Sequence, residues 1–118
     1  MRIVIETIPH KTQRYETCGD WIVDGDTLKI FVSKTKDWRH SFLVAVHELI
    51  EAGLCKQAGI SQRVVDKFDM SFKGKGEPGD NLEAPYHEQH IAASKAERYL
   101  ATKLRVNWKK YEAALNKL

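Results

Sequence analysis

The run Val44-Ala45-Val46-His47-Glu48-Leu49-Ile50-Glu51-Ala52-Gly53-Leu54 sets one histidine and two glutamates in an otherwise apolar stretch. His47 and Glu51 are four residues apart, so on a helix their side chains reach the same point one turn apart. Glu48 follows the histidine and is rotated from it by about 100°. An imidazole and a carboxylate converging in this way suit a divalent metal, and an adjacent carboxylate suits proton transfer.

A helical projection sharpens the pattern. With Phe42 at zero, Leu43, Ala45, Val46, Leu49, Ile50, Ala52, Gly53 and Leu54 cover about two-thirds of the circumference. His47, Glu48 and Glu51 share the remaining wedge with Val44 and Cys55, and no lysine or arginine lies between Arg39 and Lys56. A helix apolar nearly all round is expected to be buried. Buried carboxylates need a positive partner, because leaving them unpaired costs several kcal/mol. That partner is a metal ion or a cation from a neighbouring element. The alternative is a solvated His/Glu pair, or a buried cluster satisfied without metal.

A metal site of this kind needs a third protein ligand. Of the five histidines, His87 and His90 open a second helical stretch in Pro85-Tyr86-His87-Glu88-Gln89-His90. At i and i+3 both can face one point. His90 borders the apolar stripe through Tyr86, Ala93, Leu100 and Leu104, so it is expected as the third ligand. His87, turned away by about 60°, is expected as a fourth ligand or a substrate contact. Glu97, seven residues beyond His90, is either an acceptor that orients the His90 ring or, two turns away, a solvated glutamate. Cys55 reads as a buried thiol, His10 as a loop residue and His40 as structural. Asp80 is a candidate for the site rim. Trp21, Trp38 and Trp108 read as core anchors.

These residues need elements to position them. Residues 2–8 form a β-branched strand stopped by Pro9. Residues 20–33 form two strands around Asp24-Gly25-Asp26, a hairpin signal. A long helix covers 38–58, with Asp37 as N-cap and Gly59 as its stop. A shorter helix near 61–69 is capped by Ser61. Residues 73–85, with three glycines and two prolines, form a loop long enough to serve as a lid or site wall. Further helices are expected over 85–104, with Pro85 in the first turn, and over 107–117.

The 118 residues suit a single domain, β-rich over 1–36 and helical over 37–118. Hydrophobic residues at 42% and charged residues at 30% are ordinary for a globular protein. No run of about 18 apolar residues could span a membrane, and the N-terminus lacks a signal-like apolar region. Two isolated cysteines fit a reducing cytoplasm. A net charge of +3, concentrated near the C-terminal end, is too weak to mark a nucleic-acid binder. Residues 73–85 lack phosphate-loop spacing. Neither a Ser-His-Asp nor a Cys-His set stands out, and the di-iron pattern of paired E-x-x-H helices is missing.

The order of strand then helix, with "VHELIE" after "TLKIFVS", resembles a minimal zincin-type metallohydrolase core over residues 26–100. Glu51 replaces that family's second histidine. The resemblance implies a zinc site in which Glu48 takes a proton from the attacking water. Along nearly the whole chain, "IPHKTQRYETCGDW", "DWRHSFLVAVHELIEAGLC", "GEPGD" and "APYHEQHIAA" resemble a family of small bacterial and phage proteins. That second resemblance implies a self-contained intracellular domain, phage or prophage encoded, and no particular activity.

The expectation is an α+β domain. A small antiparallel N-terminal sheet packs on two long helices and a short C-terminal one. One divalent metal, most readily zinc although manganese and iron suit the same donors, sits on His47, Glu51 and His90, with His87 nearby. Glu48 is the expected general base for hydrolysis of a peptide or small-molecule amide. The rival expectation is a non-catalytic interaction module in which a metal or polar cluster braces two helices. A homodimer is compatible with either.

Overall fold

The computed structural model describes all 118 residues. The architecture is α+β: a three-stranded sheet at the N-terminus is followed by four helices. Strands β1 (Arg2–Ile8), β2 (Gly19–Asp24) and β3 (Thr27–Ser33) lie in the order β1-β3-β2. The hairpin is where turn chemistry put it, with Gly25 and Asp26 between β2 and β3. The sheet is mixed rather than wholly antiparallel: β2 runs against β3, but β1 runs parallel to it, Ile3 opposite Leu28 and Ile5 opposite Ile30. The cause is the link over residues 9–18, which carries the chain from β1 past β3 before β2 begins. Gln13 pins that link to the carbonyls of Cys18 and Phe31, and Arg14 pairs with Asp20. Backbone pairing between residues so far apart leaves no local pattern.

Helix α1 (Trp38–Ala58) has the expected ends. Asp37 accepts from the Arg39 N–H, and Gly59 is left-handed at φ 74°. Helix α2 spans Gln62–Ser71, with Ser61 accepting from the Val64 N–H. Helix α3 spans His87–Lys103, so Pro85 and Tyr86 stand just before it rather than within its first turn. Helix α4 spans Trp108–Asn116, capped by Asn107.

The core joins Trp21, Leu28, Ile30 and Val32 of the sheet to Leu43, Val44, Ala52 and Cys55 of α1, with Ala101 and Tyr111 closing it. Helix α1 packs on β2, β3 and α3. It does so through its polar wedge: His47, Glu48 and Glu51 are buried, while Phe42 is 45% exposed and Leu54 38%. The expectation that the apolar arc is buried is therefore reversed in part. A helix apolar over two-thirds of its circumference cannot turn all of it inward, and the wedge claims the inner side. Trp38, expected in the core, is 65% exposed and stacks edge-on against Phe42. No helix is long and apolar enough to cross a membrane.

Candidate metal centre

Three side chains converge between α1 and α3. His47 Nε2 lies 3.2 Å from Glu51 Oε2 and 3.2 Å from His90 Nδ1, and His90 Nδ1 lies 2.9 Å from the same Glu51 oxygen. All three residues are buried. Ligand atoms held by bonds of about 2.0–2.1 Å in a tetrahedron stand about 3.3 Å apart. The triangle is close to one face of such a tetrahedron.

The outward side of each residue is tied down. His47 Nδ1–H donates to Glu97 Oε1 at 2.8 Å, and the other Glu97 oxygen accepts from the Tyr111 hydroxyl at 2.6 Å. His90 Nε2–H donates to Asp80 at 3.0 Å, with Glu77 at 3.1 Å. The Trp21 indole N–H donates to Glu51 Oε1 at 3.2 Å. Carboxylates only accept, so each imidazole presents its N–H outward. Two lone pairs and a carboxylate oxygen then face one point, and only a cation or protons can occupy it.

Without a metal, protons fill that role. Burial disfavours the charged His47 ring, but hydrogen bonds to Glu51 and Glu97 and the charge of Glu48 outweigh it, and the pKa rises to about 11. His90 is opposed by burial in the same way and raised to about 10 by Glu51 and Glu77. Burial raises Glu51, but the two histidines overcome this and hold it at about 2. In that state both inward N–H groups donate to the same Glu51 oxygen, at 3.2 Å from His47 and 2.9 Å from His90.

Glu48 differs from its neighbours. Its Oε2 lies 4.0 Å from His47 Nε2, and no hydrogen bond engages the carboxylate. Burial, then the charge of Glu51, pushes its pKa well above the carboxylate range. It borders a cleft of about 840 Å³ that also reaches Glu51, His90 and the loop at Gly76–Asp80. Eight carboxylates line that cleft against two permanent cations, Lys95 and Arg98. On the same wall, Tyr15 and Tyr86 both donate to Asp69, whose pKa burial raises to about 6.

Two glycines make room for this arrangement. A Cβ at Gly19 would stand 2.7 Å from Glu48 Cγ, and one at Gly79 would collide with the His90 ring. Residues 73–85 thus form a wall of the site, with a short turn at Pro78–Asp80 against α3.

Of the expected residues, His47, Glu48, Glu51 and His90 meet. His87 does not: its Nδ1 donates to the Gly79 carbonyl at 2.9 Å, bracing the loop instead of facing the triangle. Glu97 orients His47 rather than His90, because α3 crosses α1 with Glu97 beside the His47 ring. Asp80 lies behind His90. Cys55 is buried outside the triangle, and His10 bonds Ser33 and Glu16. Trp21 and Tyr111 hold the site from β2 and α4, and no spacing in the chain ties either to His47.

Comparison with protein-family models, curated proteins and solved structures finds no match to this chain.

Proposed function

We propose that this protein is a metal-dependent hydrolase acting on a peptide or related amide bond, with one divalent ion, most readily zinc, on His47, Glu51 and His90. The observation that carries the reading is the triangle of inward-facing donor atoms, each braced from behind, beside a carboxylate that no hydrogen bond engages. When bound, zinc supplies Lewis-acid polarisation of the scissile carbonyl and acidifies water. Glu48 takes the proton of the attacking water and returns it to the leaving nitrogen, a task suited to a base with a raised pKa. Glu97 and Asp80 fix the ring orientations, and Trp21 fixes the Glu51 carboxylate. The acidic cleft favours neutral or cationic substrates and disfavours nucleic acid. The free cysteines, Cys18 and Cys55, fit a cytoplasmic setting.

The test is elemental analysis of untagged protein after reconstitution with zinc, beside His47→Ala and His90→Ala. One equivalent bound by the parent and lost from both variants supports the site. Hydrolysis of a mixed peptide library that disappears in Glu48→Gln, with zinc retained, supports the reaction. A folded parent that takes up no metal overturns both.

One observation favours a second reading. As cations, His47 and His90 are fully paired by Glu51, Glu97, Glu77 and Asp80. A metal-free polar brace between α1 and α3, in a protein that works by binding others, is consistent with that pairing.

A further inference from the structure

The outer side of α1 is as unusual as its inner side. Between Ser41 and Lys56 every outward-facing residue is apolar, because His47, Glu48 and Glu51 all point inward. Trp38, Phe42 and Leu54 are exposed, and Val46, Leu49 and Ile50 are half-buried beside them. The bare surface continues onto β1. Ile3 and Ile5 pair with Leu28 and Ile30, so their side chains lie on the helix-bearing face of the sheet. Helix α1 covers β2 and β3 there and leaves β1 uncovered, with Ile3 49% and Ile5 46% exposed. The helix layer over the sheet is one helix short.

We propose that a second copy of this chain covers this face, its α1 lying antiparallel against α1 and over β1. The face is complementary to itself. Phe42 and Gly53 are eleven residues apart and only about 20° apart around the helix, three turns along one line. A two-fold axis passing beside α1, level with His47 and Glu48, sets each Phe42 over the partner's Gly53 and Val46 opposite Leu49. Gly53 is a notch, since a Cβ placed there meets nothing within 4 Å. An unrelated partner would have to supply both knob and notch, whereas the two-fold supplies each twice. With no charged side chain exposed between Ser41 and Lys56, the face offers nothing to recognise a charged segment. The area is sufficient: exposures of 65% for Trp38, 45% for Phe42, 49% for Ile3 and 46% for Ile5, with the half-buried Val46 and Leu49 between them, amount to roughly 500 Å² per copy, so about 1,000 Å² in a pair, at the threshold of specific association. Antiparallel helices also set opposed dipoles side by side.

Sedimentation equilibrium on the untagged chain from about 1 to 200 µM, a range bracketing the Kd of a weak specific pair, tests this with and without EDTA. The expected result is a dimer in both conditions, because the seam shares no residue with the metal triangle. Val46→Lys, at a half-exposed position, is expected to raise Kd at least about 30-fold, roughly 2 kcal/mol, with unchanged far-UV circular dichroism. If it fails to fold, the double variant Phe42→Cys/Gly53→Cys gives the answer, forming a covalent dimer under mild oxidation through the two symmetry-related pairs. A parent that stays monomeric at the highest concentration overturns the proposal. So does a dimer that dissolves in EDTA, or a double variant that forms no disulfide between copies.

Discussion

Glu97 joins the Tyr111 hydroxyl, at 2.6 Å, to the His47 ring nitrogen, at 2.8 Å, and so connects the last helix to the first. The carboxylate is buried and both of its oxygens are engaged. It fixes which His47 nitrogen faces inward. Removing its charge by Glu97→Gln leaves an amide that can present N–H to the ring and favour the wrong tautomer. Zinc affinity is expected to fall about 10–100-fold, as for other groups behind a ligand. Tyr111→Phe keeps the charge and is expected to cost less than about tenfold. Competition with a chromogenic chelator reads both, and equal losses would contradict the ranking by showing that the Tyr111 hydroxyl matters as much as the Glu97 charge.

Metal uptake must displace protons. His47 and His90 carry them at neutral pH, with pKa values raised to about 11 and about 10 against an unfolded value near 6.5. Zinc binding at about pH 7 is expected to release close to two protons, and apparent affinity should climb with pH. Calorimetry in buffers of different ionisation enthalpy gives the number. The metal-free protein behaves in the opposite way. Its raised histidines contribute stability that is fully present below about pH 6.5 and is lost as pH rises toward about 10. A stability profile that does not decline above about pH 7 after EDTA dialysis would contradict the charged-histidine arrangement.

Asp69 offers a separate check. Its folded pKa of about 6 exceeds the unfolded value near 3.9, so the folded state holds the extra proton between those limits. Stability from this group is present below about pH 4 and declines as pH rises through about 6. Partial exposure reduces the effect to on the order of 1 kcal/mol. Asp69→Asn removes the dependence, so the variant should gain on the parent between about pH 4 and about pH 6.5 in urea titrations. A constant difference across that range would refute the raised pKa.

Gly79→Ala tests the loop as a wall. The new methyl meets the His90 ring, and relief requires the Pro78–Asp80 turn to move away from α3. Overpacking of this kind costs about 1–3 kcal/mol. Zinc affinity is expected to fall, because Asp80 leaves His90 as the turn moves. An alanine in place of Gly53, where no atom of its own chain stands within 4 Å, adds a methyl away from the triangle and should leave zinc affinity unchanged.

The elements are largely legible in the sequence because their signals are local. Asp37 and Gly59 bound α1 within a few residues of its ends, and Gly25 announces the hairpin. His47, Glu48 and Glu51 are legible as a unit because a helix brings i and i+4 together. The rest depends on contacts between distant segments. The parallel seating of β1 on β3 is decided by a link whose path no spacing reveals. Which arc of α1 turns inward is undecided on a helix with so broad an apolar sector. Spacing alone gives Glu97 to the histidine nearer along its own helix, whereas the crossing of α3 over α1 gives it to the other. Trp21 and Tyr111 read as aromatics of the interior, and they are, but each also directs its one polar atom to the site.

The span from His47 to Tyr111 has a consequence for how such chains are compared. The motif that draws attention lies within five residues, yet the ring at its head is held by Glu97 of α3, and Glu97 in turn by a hydroxyl of the last helix. A version shortened before α4 would keep every residue of the motif and lose both the Tyr111 hydroxyl and its place in the core. Its Glu97 would still meet the His47 ring but would lose the bond that steadies its other oxygen. The cluster draws on residues from β2 to α4, and the short signature marks only where they converge.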